Sequence, residues 1–353
     1  MIQPTTQFTV LLLLIISAFC WGSWASTFKI TKKWRFEFFY YDFTIGILLT
    51  TLIGAFTLGS MNPQELTFQD NFLLAAYRKI AWALGAGLVF NLGNIFLLAA
   101  TVVSGMSVAF PTALGTALIV GAIVDFAYNP QSSVLLVFGG AGLVVVGIVA
   151  NVMAYAWAQD DRAAAKVQAL QADPRSRAPK QEANPAWRGV ILAVFGGLVL
   201  GAFFPTLARG TAGETGVSPY GAALLVSAAV FASSMLFVPF FLFFPIQGGP
   251  GQIRGYFKGD KKQHTFGVLG GILLGTGILA GLVAAGAPQA IQPGQAIKYA
   301  LDHAAFLIAI AWGLLVWREF KGSSQRVQMM LVAMIVLLVA GVSMIAVAPT
   351  YGK

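Results

Sequence analysis

The sequence has few charged side chains, a single cysteine and only two histidines. Asp, Glu, Lys and Arg make up 10% of the 353 residues, whereas 58% are hydrophobic. Soluble domains carry about 25% charged residues, so there is too little polar material here to cover water-soluble domains. Cys20 alone excludes an intrachain disulfide and a Cys-rich metal site, and two histidines argue against a dedicated metal centre. Lipid is therefore expected to solvate most of the surface.

The sequence also lacks the common catalytic signatures. It has no Gly-rich loop that ends in Gly-Lys-Ser/Thr and no histidine pair at zinc spacing. We therefore expect no enzyme, no cofactor and no metal, and transport that is driven by a gradient. The net charge of +9 comes from basic residues in short loops between apolar runs, which indicates membrane topology and not nucleic-acid binding. No Lys or Arg precedes Lys29, so the first segment is interpreted as a retained helix and not as a secretory signal.

Ten apolar stretches are long enough to cross a bilayer. A helix needs about 20 apolar residues to span the hydrocarbon core. Such spans are predicted at 8–28, 40–60, 79–101, 104–127, 133–156, 188–209, 219–245, 265–286, 294–317 and 326–348. The predicted fold class is an all-α membrane protein with ten transmembrane helices.

The basic residues predict the orientation, because cytoplasmic loops collect Lys and Arg. If the N-terminus lies outside, 17 of the 22 Lys and Arg residues fall on the inner side and 5 on the outer side. We therefore expect a multi-pass inner-membrane protein whose two termini are both periplasmic.

The longest break between spans, residues 158–187, is rich in Ala, Gln, Pro and charge and is interpreted as a cytoplasmic linker. It separates residues 1–157 from residues 188–353, with five predicted spans in each half. An odd number of spans makes the second half enter the membrane the opposite way round, so repeated halves are expected to be inverted repeats.

Two short matches support such a repeat. Gly22–Thr27 in the first span aligns with Gly201–Thr206 in the sixth span. An acidic residue near the helix end, Asp125 in the fourth span and Glu319 in the ninth, occupies the matching place in each half. Inverted repeats are the architecture that gives alternating access in many transporters.

Five motifs together resemble one transporter family. They are Cys20–Trp24 (CWGSW), Trp34–Asp42 (WRFEFFYYD), Leu92–Asn94 (LGN), Gly105–Pro111 (GMSVAFP) and Trp312–Gly322 (WGLLVWREFKG). In this order and spacing they are similar to bacterial relatives of the plant ureide permeases. That group resembles the glucose/ribose and rhamnose–proton symporters of the drug/metabolite transporter superfamily. The resemblance implies two inverted five-helix repeats, frequent proton coupling, and neutral polar substrates such as ureides, nucleobases or sugars.

Polar groups inside the spans are the first candidate substrate contacts, because burying them in a membrane is costly. Asn91 and Asn94 lie three residues apart on one face of the third span, and their amides suit a ureide, an amide or a sugar hydroxyl. The structural alternative is hydrogen bonding between helices. Ile278 stands where the repeat would place a second Asn94, so this contact is expected in one half only.

Aromatic and proline-flanking residues complete the predicted substrate site. Trp21 and Trp24, with Ser23 between them, offer aromatic planes and indole N–H groups, and an interfacial aromatic belt is the alternative. Prolines in the fourth and sixth spans are expected to bend those helices beside a cavity. The neighbouring residues assigned to the site are Thr112, Phe204 and Thr206.

Ionisable residues predict the proton and gate sites. Asp302 and His303, in the outer half of the ninth span, form the predicted proton-coupling pair. The alternative for Asp302 is an ion pair with Lys298, four residues earlier. Three acidic residues near membrane faces are predicted to act in gating, with surface salt bridges as the alternative: Glu37, Asp125 and Glu319.

The sequence thus predicts a secondary active transporter of a small neutral polar metabolite (a ureide, nucleobase or sugar), with proton-coupled uptake by alternating access. Export of drug-like metabolites is the alternative, and an integral-membrane lipid-linked transferase is a further one. Expected partners are the small-molecule substrate, protons and the lipid bilayer, with no nucleic acid. A homodimer is one oligomeric state compatible with the sequence.

Overall fold

The computed structural model describes residues 1–31, 34–61, 66–128, 130–172 and 186–352, and the regular structure in these ranges is helical. The α-helices are α1 (Gln7–Ile30), α2 (Phe36–Phe56), α3 (Phe68–Leu74), α4 (Tyr77–Ser104), α5 (Met106–Tyr128), α6 (Val134–Ala172), α7 (Ala186–Gly201), α8 (Phe203–Thr211), α9 (Pro219–Phe243), α10 (Lys261–Ala285), α11 (Gln295–Asp302), α12 (Ala305–Ala311) and α13 (Gln325–Val347). A π-helical turn, Trp312–Val316, follows α12.

Nine helical segments of the described chain are long and apolar enough to cross a membrane. A tenth span results if α11 and Ala305–Val316 are counted as one segment with a bend of 42°. The prediction of an all-helical protein is confirmed, with nine or ten candidate spans. Helix α6 continues to Ala172, so the first half of the predicted linker is helical. Residues 173–185 of that linker lie outside the described residues.

Successive spans alternate in direction, so their ends form two groups. One group, called the basic end below, contains the end of α1, the starts of α2, α5 and α10, and the end of the π-helical turn. It carries basic side chains such as Lys29, Arg35 and Arg162. The other group, called the opposite end, contains the starts of α1, α4 and α11 and the ends of α5 and α8.

Glycines bring α2 and α10 into backbone contact. A Cβ added at Gly46 would clash with the carbonyl oxygen of Val268, and one at Gly271 would clash with that of Phe43. Small residues at such crossings let helices approach closely, and van der Waals packing then holds them together inside a membrane. Helices α2 and α10 are therefore packed directly against each other, backbone to backbone.

Breaks in the helices lie next to the side chains predicted to act. Gly105, with φ 88°, separates α4 from α5, a backbone conformation that glycine adopts without steric cost. Ala202 separates α7 from α8, and His303 with Ala304 separates α11 from α12. Irregular backbone at membrane depth is tolerated where it is covered by protein or lines a cavity, so these breaks are expected to lie beside protein or a cavity.

Candidate functional site

The basic end is closed by a polar network around Glu319. Its carboxylate oxygens accept hydrogen bonds from the backbone N–H groups of Met106 and Ser107, each at 2.8 Å, and it forms an ion pair with Lys29. The first N–H groups of a helix have no partner within the helix, and a carboxylate there is stabilised by the helix dipole. Glu319 therefore ties the last turn of α1 to the start of α5.

Gly105 makes room for this network. A Cβ at this position would lie 2.8 Å from the Glu319 carboxylate, in addition to the strain of its positive φ. Both the backbone conformation and the close approach of the carboxylate therefore require glycine at this break.

Two tryptophans of the π-helical segment brace the same end. The indole N–H of Trp312 donates to the Ser23 hydroxyl at 2.8 Å, and that of Trp317 donates to the Ser26 hydroxyl at 3.2 Å. The ammonium of Lys29 also lies 5.6 Å from the centre of the Trp317 ring. π-Helical turns inside α-helices are frequent at functional sites, and this one directs both indoles onto one face of α1.

The extension of α6 supports the network from outside. The Asp161 carboxylate accepts the N–H of Ser324 at 2.9 Å and forms an ion pair with Arg326 at 3.0 Å. Both contacts attach α6 to the start of α13. Arg162 donates to the backbone carbonyl of Glu319. The helical start of the linker thus holds the segment that carries Glu319.

The two asparagines of α4 are buried and differ in their partners. The Asn91 amide nitrogen donates to the Ser233 hydroxyl at 2.7 Å and to the carbonyl of Val230 at 3.1 Å, and its oxygen accepts from the Tyr40 hydroxyl at 2.8 Å. The Asn94 amide donates to the same Tyr40 oxygen over a longer 3.3 Å. Asn91 therefore joins three helices, while Asn94 has weaker internal partners.

An aromatic cluster lies between α1, α4 and the α7–α8 break. The Trp21 ring packs edge-on against Phe90 at 5.5 Å between centroids, and it lies 6.5 Å from Phe203 and 6.4 Å from Phe204. Phe204 is 57% exposed, so one side of this cluster lies at the surface of the helical bundle. Trp24, three residues from Trp21, is only 1% exposed and packs against other rings. The two tryptophans do not share one surface.

Thr112, beside the proline of α5, contacts Asn151 of α6. The Asn151 amide nitrogen donates to the Val108 carbonyl at 3.1 Å and to the Thr112 hydroxyl at 3.3 Å. The Asn151 amide oxygen is buried and has no hydrogen-bond partner among the described residues. Thr206 donates to the Ala202 carbonyl at 2.7 Å, which covers part of the α7–α8 break.

The predicted proton-coupling pair lies at the bend between α11 and α12. The His303 ring stacks on Tyr299 at 4.2 Å, and its Nδ1 lies 2.8 Å from the Tyr299 carbonyl oxygen. Asp302 is exposed at the end of α11. In the described part of the chain, Lys298 and Asp302 are not joined in an ion pair. The His303 ring is held by Tyr299, and Asp302 lies at the backbone break itself.

The other two predicted gating residues lie apart from Glu319. Asp125 lines a pocket of about 40 Å³ at the opposite end, together with Gln295 and Tyr299 of α11. Glu37 is buried at the start of α2, where it pairs with Arg35 at 2.8 Å. Asp125 therefore faces the start of the ninth predicted span, as Glu319 faces the start of the fourth.

Sequence reasoning missed several members of this site. No sequence motif singles out Lys29, Phe90, Phe203 or Asn151. Asn151 is a polar residue inside an apolar run, which is a signal that the sequence did offer. The pairing of Lys29 with Glu319 joins residues 290 positions apart, so no local pattern predicts it.

Comparisons with known proteins agree on one family. The family model described as ureide permease matches residues 175–348. Ureide permease 1 of Arabidopsis thaliana is 21% identical over 94% of this chain and 95% of its own length. Ureide permease 4 of the same plant is 22% identical over 96% and 97%, and ureide permease 2 is 21% identical over 89% and 90%.

These matches span nearly all of the chain and nearly all of each relative, so the resemblance covers the whole helical bundle. The chain is therefore similar to the ureide permeases along nearly its whole length. Combined with the apolar helices, they identify it as a multi-pass membrane transport protein of the permease type and not an enzyme.

Proposed function

We propose that this protein is a secondary active transporter of a small neutral polar metabolite, with ureides as the first candidate class. The observation that carries the proposal is its full-length similarity to three proteins named ureide permease. Ureides present several N–H donors and carbonyl acceptors on a compact and often cyclic frame. Buried amides and aromatic planes suit such a molecule.

The proposed substrate site lies between the aromatic cluster and the amides. The Trp21 and Phe204 rings offer aromatic planes. Asn94 supplies an amide whose internal hydrogen bond is long. Asn151, whose buried amide oxygen has no partner among the described residues, lies against α5 and is left out of this proposed site. Ligand sites in proteins commonly combine an apolar lining with a few placed polar groups.

The pairing of helices supports two inverted five-helix repeats and a place in the drug/metabolite transporter superfamily. The two halves can be matched helix by helix: α1 with α7–α8, α2 with α9, α4 with α10, α5 with α11–α12, and α6 with α13. If each helix is replaced by its match, the main packed pairs of helices are again pairs that pack in the structure. Helix α10 packs on α1 and α2, and α4 packs on α7–α8 and α9. The pairs α2–α9, α5–α12 and α6–α13 map onto themselves. The proposed repeats are residues 1–157 and 188–353, joined by the linker at 158–187.

Alternating access then consists of opening one end while the other closes. The network of Glu319, Lys29 and the start of α5 is the proposed gate of the basic end. Asp125, with the start of α11, is its counterpart at the opposite end. Because inner loops collect basic residues, we place the basic end in the cytoplasm and both termini in the periplasm of an inner membrane.

Proton coupling is assigned to Asp302 and His303. They lie at the only bend that interrupts a candidate span by more than 40° in the described chain. A carboxylate and an imidazole at such a break can exchange protons while the helix changes its bend. Movement of α11–α12 would then also move Trp312, Trp317 and Glu319.

Counterflow in proteoliposomes tests the proposed function. Purified protein is reconstituted with an internal load of unlabelled solute, and entry of the labelled solute is followed for a panel of ureides, nucleobases and sugars. We expect counterflow for at least one ureide, and uphill accumulation only when a proton gradient is imposed. Failure of counterflow for every solute on the panel would contradict the proposal.

A further inference from the structure

A second cluster of titratable side chains lies at the basic end, away from the substrate site. Asp42 of α2 is 3% exposed, and each of its carboxylate oxygens has a partner. One oxygen accepts from the Tyr256 hydroxyl, and the other lies 2.8 Å from Nδ1 of His264 at the start of α10. We call these three residues the Asp42 triad.

Two aromatic rings hold the His264 ring in place. The Trp34 ring meets it edge-on with 4.9 Å between ring centroids, and the Tyr256 ring meets it edge-on with 4.8 Å between centroids. Trp34 and Tyr256 also stack on each other at 6.4 Å. The imidazole is thereby fixed on Asp42, while its side chain keeps 30% exposure toward the surroundings of the basic end. A proton can therefore reach the pair from that side.

The triad attaches the loop between α9 and α10 to the start of α2. Tyr256 belongs to the turn Ile253–Lys258 of that loop. Arg35 adds a second contact, since it donates to the Gly249 carbonyl at 2.7 Å. The loop thus contacts the start of α2 through Tyr256 and Gly249, and His264 of α10 contacts the same Asp42 carboxylate.

The loop and the start of α10 also carry charged residues near the triad, namely Arg254, Lys258, Asp260, Lys261 and Lys262. Tyr256 and His264 are the groups that act on Asp42, and Tyr41 acts on Tyr256. Burial, followed by the hydrogen bond to Asp42, raises the pKa of the Tyr256 phenol above its usual range, so Tyr256 remains a donor at physiological pH. Arg35 is engaged by Glu37. The exchangeable proton of this cluster therefore belongs to the Asp42–His264 pair.

The triad lies at the same end of the bundle as the gate. Trp34, which contacts the His264 ring edge-on, stands five positions after Lys29 in the sequence. Lys29 is the cation that Glu319 binds.

We propose that the Asp42–His264 pair is a proton-binding site, separate from the substrate pathway, that tightens the α9–α10 loop when the compartment at the basic end becomes acidic. A hydrogen bond from an imidazolium to a carboxylate is stronger than one from a neutral imidazole. Proton uptake therefore tightens the attachment, and proton loss as pH rises loosens it. In a proton-driven importer, this limits uptake when protons accumulate on that side. The inference rests on the proposed function for its transport consequence, but the binding site itself does not.

Hydrogen–deuterium exchange of the loop tests the site without any substrate. In the wild-type protein, exchange at 247–259, corrected for the intrinsic pH dependence of amides, should be about fivefold slower near pH 5.5 than near pH 8. His264→Gln keeps an N–H donor but cannot titrate, so this difference should vanish. Lys261→Gln removes a cation from the same helix start, where Lys261 is exposed, and should behave like the wild type.

Labelled-histidine NMR gives an independent readout, because the chain has only two histidines and His264→Gln assigns their signals. The His264 signal should titrate over the same pH range as the exchange. An unchanged loop between the two pH values, or an identical response in His264→Gln, would overturn the proton site. If counterflow fails for all solutes while the loop responds as expected, only the proposed function is contradicted.

Discussion

The Asn94 carboxamide has capacity for a ligand because its described hydrogen bond, to Tyr40, is long at 3.3 Å. Asn94→Ala removes a donor and an acceptor from the proposed substrate site. We expect substrate affinity to fall by about 1–3 kcal/mol, since a polar group of the substrate is then buried without its partner. The KM for counterflow of the transported solute, measured in proteoliposomes, checks this value.

Asn91→Ala is the matched control for that change. Asn91 bonds Tyr40, Ser233 and Val230 within the bundle, so its loss should lower the melting temperature with little effect on KM. An unchanged KM in Asn94→Ala would assign Asn94 to packing instead.

Asp302 lies at the bend of the ninth predicted span, where its exposure allows proton exchange. Asp302→Asn keeps the size of the side chain but fixes it in a neutral form. We expect solute exchange to continue while uphill accumulation under a proton gradient is lost. Lys298→Gln, one turn earlier and without an ion pair to Asp302, should keep accumulation. Full accumulation by Asp302→Asn would reject this residue as the coupling site.

At the scale of elements, the gate depends on a carboxylate that joins α1 to α5. Glu319→Gln removes the charge that holds Lys29 and weakens the cap on the start of α5. We expect the basic end to open more often. In a Cys20→Ser background, a cysteine introduced at Ser104 should then react faster with a membrane-impermeant maleimide. Arg318→Gln, beside Glu319 but outside the gate contacts, is the control, and equal rates in both variants would contradict the gate.

The break between α4 and α5 is a second element-level feature. Gly105→Ala places a Cβ 2.8 Å from the Glu319 carboxylate and forces a positive φ on alanine. A destabilisation of about 1–3 kcal/mol is expected, measured as a lower melting temperature. Gly121→Ala, in the same helix α5 with nothing within 4 Å of the added Cβ, should be neutral or slightly stabilising. Equal melting temperatures for the two variants would contradict this assignment.

The sequence predicted the spans well because about 20 apolar residues are needed wherever a helix crosses a bilayer. It did not predict the π-helical turn at Trp312–Val316, because that turn depends on indole contacts with α1. Tyr40 joins both asparagines, and this contact requires α2 to lie against α4, which no local sequence pattern predicts. Contacts between distant segments are the part that a single sequence does not contain.

At the scale of the whole molecule, the number of membrane spans depends on the segment 295–316. Helix α11 starts beside Asp125 at the opposite end, and the π-helical turn leads to Glu319 at the basic end. If this bent segment crosses the membrane, the protein has ten spans, five in each half. If it enters and returns on one side, there are nine spans and the halves cannot be inverted repeats.

The location of the two chain ends distinguishes these cases most directly. Reporter fusions that are active only in the cytoplasm or only outside it are attached separately to each end of the full chain. Both ends are expected on the same side, outside the cytoplasm. One end inside and the other outside would mean an odd number of spans, and would contradict the paired halves and the alternating pathway between them.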